Sequence, residues 1–143
     1  MFSVKKKGDI SHDYIYRDRV VLPELIRRAR RIVEYPTNAM KIYHVAAELP
    51  VRRFYISDDA AAAFIRSYVY KGIRPTFTSR YKQRLYDALF DEVSKMLCNS
   101  RYQDMDIGSV VSIALTHPAP CIGISPFVIM RTISTIRKKN GKV

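Results

Sequence analysis

The residues of this chain with the most chemistry to offer are arginine and lysine, and what they do best is hold anions. Arg131, Ser134, Thr135 and Lys138 recur at spacings that put them on one face of a helix, with Lys139 following. Guanidinium and ammonium groups hold phosphate oxygens or guanine edges, and short hydroxyls bond phosphate oxygens. Ile129, Ile133 and Ile136 fall on the opposite face, and no Asp or Glu occurs from Ile107 to Val143. If one helix of this chain reads nucleic acid, this is the one expected to do so; the plainer alternative is a closing helix with solvated basic ends. A second group spans Lys71 to Arg84. It holds five basic residues (Lys71, Arg74, Arg80, Lys82 and Arg84) and no acid, interleaved with Phe77 and Tyr81. That pattern suits a backbone clamp with a stacking option, or else a solvated linker. The third group, Arg27, Arg28 and Arg31 with Arg30 between them, suits backbone contacts or, more simply, a solvated face. Glu24 lies four residues before Arg28, and Glu34 follows Arg30 and Arg31 at helical spacing, so part of this charge is paired internally.

Little else could do chemistry. His12, His44 and His117 have no partner at ligand spacing, and two prolines separate His117 from Cys121, so no helix places that pair on one face. The five glycines are isolated and form no phosphate loop. Among the acids, Asp58-Asp59 reads as a helix cap, Asp91-Glu92 as a solvated face and Asp104/Asp106 as loop. Nothing pairs two carboxylates for acid–base work. The chain is therefore read as a non-enzyme, with no catalytic or metal site and no cofactor.

The charge balance points the same way as the basic clusters. Lys and Arg number 25 against 13 Asp and Glu, a formal +12 over 143 residues. Residues 1–35, 36–80 and 81–143 each net +4, so the folded body itself is basic rather than a neutral domain with a tail. Such a field steers polyanions to the surface. Two cysteines cannot form a disulfide framework; they read as small core hydrophobes from a reducing compartment. No apolar stretch follows the N-terminal lysines, and no run approaches the ~18 apolar residues of a membrane span. A cytoplasmic protein is expected, or a virion protein if the chain is phage-encoded.

Positioning falls to helices. Residues 1–13 read as a flexible polar arm. Leu22, Leu25, Ile26, Ala29, Ile32 and Val33 share one arc of a helix that Pro23 allows to start near Leu22 and Pro36 ends. Thr37 or Asn38 caps a second helix running to about Leu49. After an extended Val51–Ile56, Ser57 caps a third, stopped at Gly72. Thr78 or Ser79 opens a fourth helix through Met96, a fifth runs from about Ser109 to Thr116, and Ser125-Pro126 opens a sixth to about Arg137. The pattern repeats: at an offset of 68, Ala46 meets Ala114, Pro50 meets Pro118, Ile56 meets Ile124 and Ser57 meets Ser125. At an offset of 64, Val21, Leu25, Ala29 and Ile32 meet Leu85, Leu89, Val93 and Met96. The expected fold is all-α: two tandem three-helix units, 14–72 and 73–143, related by a pseudo-twofold axis in one compact domain. The second unit ends in a basic tail, and Arg53–Ile56 and Cys121–Ile124 are expected to pair as a short antiparallel ladder.

The succession of helix, helix, extended turn and capped helix over 38–71 and 107–138 resembles a helix-turn-helix, although the turn is longer and the usual small-residue and glycine positions are absent. That resemblance implies that the last helix enters the DNA major groove. The Pro-x-x-x-x-x-Ile-Ser pattern at 50–57 and 118–125 resembles short uncharacterised proteins of phages and mobile elements of gut bacteria, and implies no activity. The resulting expectation is a nucleic-acid-binding protein, DNA favoured over RNA. The alternative is a phage virion or assembly protein, or a homo-oligomer, meeting an acidic partner or packaged DNA. Membrane attachment is not expected: tryptophan is absent, and the first helix needs its apolar arc for the core.

Overall fold

The computed structural model describes residues 12–34 and 38–141. Most of the expected N-terminal arm, Pro36 and Thr37 lie outside the described residues. Among those described, seven α-helices follow in order: α1 (His12–Tyr16), α2 (Leu22–Ile32), α3 (Ala39–Glu48), α4 (Asp58–Lys71), α5 (Arg80–Leu97), α6 (Ile107–Ala114) and α7 (Pro126–Gly141). A π-helical turn, Arg17–Val21, joins α1 to α2, and a short 3₁₀ turn, Ser100–Tyr102, follows α5. The fold is all-helical among the described residues, and no described helix is long and apolar enough to cross a membrane.

The helix starts are set by local chemistry. Asn38 accepts from the Lys41 N–H at 2.9 Å, Ser57 from Ala60, Ser79 from Lys82, Asp106 from Ser109 and Ser125 from Val128. Each satisfies a donor that the first turn leaves unpaired, at about 1 kcal/mol per cap. Gly72 ends α4 in the left-handed region at φ 65. The first helix differs from expectation, since the chain is helical from His12, inside the arm read as frayed. Pro23 lacks an N–H, and its ring crowds the preceding turn. The wide π turn just before it, closed by Leu22 N–H to the Arg17 carbonyl, lets the helix pass through instead of starting afresh. Ile32, expected on the buried arc, is 59% exposed.

Packing crosses the chain midpoint. α2 packs on α3, and α5 on α6. The third helix of each expected unit then leaves its own first two: α7 packs on α3 and α2, and α4 packs on α6 and α5. In a helix-turn-helix the recognition helix packs on the helix just before it, whereas here each lies chiefly against the other half of the chain. Between the halves, Val51 and Ala119 exchange both backbone N–H···O bonds at 3.0 Å, and Phe54 N–H donates to the Leu115 carbonyl. The antiparallel contact thus forms at the start of the two extended segments, not at Arg53–Ile56 and Cys121–Ile124. Phe54, Ile56 and Ile122 turn instead into a core shared with Leu25, Ile65, Leu89, Val110 and Ile129. Each such side chain contributes roughly 1.5–3 kcal/mol through burial. Ala46, Ala47 and Ala114, all fully buried, let the crossing helices approach closely.

Candidate functional site

Along α7 the basic residues are arranged around a groove instead of spread over a face. Between α7 and the α1–π segment lies a cavity of about 370 Å³ whose walls are Ile15, Asp18, Arg19, Arg131, Thr132, Thr135, Ile136 and Lys139. Beside it, sharing Arg19 and Ile136 as walls, lies a second hollow of about 370 Å³ between α7 and α2, lined also by Pro23, Ile26, Arg27, Arg30, Ile133 and Arg137. The floor is apolar and the rim cationic. Ile129 and Ile133 are buried as expected, but Ile136 is half-buried and forms the ridge shared by both hollows.

Six cations line this groove: Arg19, Arg27, Arg30, Arg131, Arg137 and Lys139. None is ion-paired with a described carboxylate. The one acid in the wall, Asp18, is held by Arg17 Nε at 2.9 Å. Thr135 donates its hydroxyl to the Arg131 carbonyl at 2.9 Å, which leaves its oxygen lone pairs facing outward as acceptors only. Phe127, one turn before Arg131, is 56% exposed, and the Arg131 guanidinium lies 5.7 Å from its ring centre.

Of the residues expected at a site, Arg131, Thr135, Lys139 and Arg27 therefore come together. Ser134 and Lys138 are exposed on α7 outside the groove, and Arg31 is exposed on α2 outside it. Arg28 faces elsewhere and donates to the Pro50 carbonyl at 3.1 Å. The stretch from Lys71 to Arg84 is largely engaged within the protein. Arg74 pairs with Asp87 at 3.0 Å and Arg84 with Glu48 at 2.7 Å. Arg80 donates to the Tyr81 hydroxyl, and the Lys82 ammonium stands 4.6 Å from the Phe77 ring centre. Lys71 is exposed at the end of α4. Tyr81 is buried, and the half-buried Phe77 ring packs against Phe64 and Tyr86. Arg19 and Arg137 are not among the residues expected at the site, and Arg30 is expected only within the α2 arginine group. Arg27 and Arg30 are three apart on α2, a signal that was available, whereas Arg19 reaches the groove through the extra residue of the π turn, which helical periodicity does not anticipate.

The other candidates separate. His117 Nδ1 lies 2.8 Å from Glu92 Oε2, while Cys121 is buried with its thiol directed at the Tyr81 carbonyl, and burial pushes that thiol's pKa up. Cys98 is exposed rather than in the core. No cluster of three metal-ligating side chains occurs among the described residues. Asp106, read as loop, caps α6, and its bonds to the Ser109 hydroxyl and backbone hold its carboxyl below the usual range. No family model, curated protein or solved structure matches the chain.

Proposed function

We propose that this protein binds nucleic acid, DNA in preference to RNA, by laying the phosphate backbone along the α2–α7 groove. The observation that carries this reading is the convergence on one apolar-floored channel of six cations, from α7, α2 and the π turn, that no described carboxylate pairs. Like charges gathered without carboxylates repel one another, and an anionic strand relieves that repulsion while releasing its counterions. The acid-free sequence from Ile107 onward supplies half the rim. Specificity for base sequence is not part of the reading, since phosphate contacts position a strand without reading it.

A salt series with duplex DNA, single-stranded DNA and RNA tests it, alongside a variant replacing Arg19, Arg27, Arg131 and Lys139 with alanine. The expected result is steep salt dependence, and an affinity loss on the order of 10³-fold in the variant. Its log–log salt slope should be shallower by roughly 0.9 for each phosphate contact removed. Arg74→Ala with Arg84→Ala, which removes cations already paired, should change affinity by about twofold or less. Weak binding that ignores the groove variant defeats the proposal. A second reading, an assembly or phage virion protein, is favoured by Tyr16, Val20 and Ile32, which leave apolar surface exposed along the first helices. Self-association that buries this face, with no nucleic-acid binding, is the result that would select it.

The same reading takes the chain as two copies of a three-helix unit about a pseudo-twofold axis, with the third helices exchanged. Three features support it. The caps Asn38 and Asp106, and Ser57 and Ser125, are each 68 apart; the bridge joins Val51 to Ala119, also 68 apart; and α7 on α3 is matched by α4 on α6.

A further inference from the structure

The groove beside α7 has a counterpart in the other half of the molecule, where the chain fills it with its own residues. Thr132 and Ile136 stand 68 positions after Phe64 and Tyr68, and Asp18 and Leu22 stand 64 before Lys82 and Tyr86. Among these counterparts lies the segment that follows α4. Phe77 stacks on Phe64 and leans on Tyr86, at centroid distances of 6.1 and 4.6 Å, under the Lys82 ammonium. Three residues earlier, Arg74 lies over Tyr68 and Phe90 and pairs with Asp87. Gln83 grips the segment by its backbone, accepting from the Phe77 N–H at 2.7 Å and donating to the Pro75 carbonyl at 3.5 Å.

At α7 no described residue fills the space between the corresponding walls. Where Phe77 would lie is the cavity lined by Ile15, Thr132 and Ile136. Where Arg74 would lie, the counterpart of Asp87 is Pro23, and the surroundings are Arg27, Arg30 and Arg137. Gln83 is replaced by Arg19, a donor with no acceptor. The two sites thus want the same ring but opposite charge beside it. An aromatic ring suits the cavity, and an anion suits the adjoining hollow.

We infer that this groove holds one unpaired nucleobase in the cavity between Ile15, Thr132 and Ile136, with its neighbouring phosphate between Arg27, Arg30 and Arg137. The inference rests on the nucleic-acid reading above and adds strandedness to it, because a base can enter only when it is unpaired. Charge density favours a strand over a peptide. The counterpart segment is a few residues long, and matching six cations over that length needs an anion at nearly every residue. A nucleotide strand supplies one anion and one ring per unit. Exposed Phe127 beside Arg131 offers a stacking face for the next base.

The test uses the full chain and fluorescence anisotropy at fixed ionic strength, with three probes carrying equal numbers of phosphates. They are a short single-stranded DNA, the same strand with every base replaced by a tetrahydrofuran spacer, and a duplex. The single strand should bind roughly tenfold more tightly than the abasic strand, as one stacked base contributes, and more tightly than the duplex. Ile15→Trp, which fills the cavity from its α1 wall, should remove the difference between the single strand and the abasic strand. Thr132→Phe, which copies the residue of the other half, fills the cavity by a second route should the first variant misfold. Equal affinity for the single strand and the abasic strand, or preference for the duplex, overturns the base pocket while the phosphate reading stands. Failure of all three probes at low salt overturns both, and binding of a glutamate-rich peptide bearing one phenylalanine would then assign the groove to a protein segment.

Discussion

In the proposed repeat the α4–α5 groove and the α7–α2 groove stand at corresponding positions, yet described residues close the first and leave the second open. In the first, Phe77 joins Phe64 and Tyr86, and Arg74 and Lys82 cover the rings with cations that have partners inside the protein. In the second, aliphatic and hydroxyl side chains replace the rings, no described segment crosses the floor, and no described carboxylate pairs the cations. The helix starts differ in the same sense. α4 opens with Asp58 and Asp59, which repel phosphate, and α7 opens with Pro126 and Phe127. Among the described residues, then, one groove is filled from within by Phe77 and Arg74, and the other leaves an apolar floor and cations without carboxylate partners.

The strongest way to break this comparison is to separate the halves. If the third helices are exchanged, residues 1–72 and 73–143 each lack the helix that covers their first two. Each fragment alone should be largely unfolded by far-UV circular dichroism, and mixing should restore the helical signal. A fragment that folds by itself as a monomer would refute the exchange. Next in size is Gly123, which has φ 80 and whose added Cβ would collide with the Leu85 side chain. Its counterpart at 68 positions is Tyr55, which is buried; no described non-glycine residue has positive φ. Gly123→Ala combines left-handed strain with overpacking and should cost about 2–4 kcal/mol in denaturant unfolding. Gly72→Ala, with open space around the new Cβ, should cost only about 1 kcal/mol. Equal losses at the two glycines would mean that contact with Leu85 is relieved easily. Phe77→Ala, which empties the closed groove, should destabilise by about 1.5–3 kcal/mol because the ring is only half-buried. It should also leave nucleic-acid affinity unchanged, because Arg74 and Arg84 stay paired with Asp87 and Glu48.

Much of this frame was legible because short-range chemistry sets it. Asn38, Ser57, Ser79, Gly72 and Ser125 begin or end helices where their side chains or backbone freedom require. What sequence did not reveal depends on contacts far apart in the chain. The crossing of α4 and α7 to the opposite halves leaves no local signature, since either partner offers an apolar stripe to the same helix. The site was legible in part. An acid-free helix with cations at helical spacing marks α7, but the wall that completes the groove comes from Arg19, Arg27 and Arg30, more than a hundred residues earlier. The Lys71–Arg84 stretch misleads for the converse reason: its carboxylate partners, Glu48 and Asp87, lie outside the window that made it look unpaired.

The smallest effect belongs to the closed groove and appears only in alkali. Tyr86 lies among Phe64 and Phe77, and burial pushes its phenol pKa up to about 12, with a lesser contribution from Tyr14. In the unfolded chain a tyrosine ionises near its ordinary value of about 10. Between those two values the folded state keeps a proton that the unfolded state has lost. The contribution is therefore fully present below about pH 10 and is lost as pH rises through about 12. Thermal melts of the wild-type protein should fall across that window, and Tyr86→Phe, which has no phenol to ionise, should flatten the fall. In the open groove the residue corresponding to Tyr86 is Leu22, which cannot titrate, so that position adds nothing to the alkaline limb. An unchanged limb in Tyr86→Phe would place the alkaline weakness elsewhere, with Tyr55, whose pKa burial also raises, as the next phenol to replace.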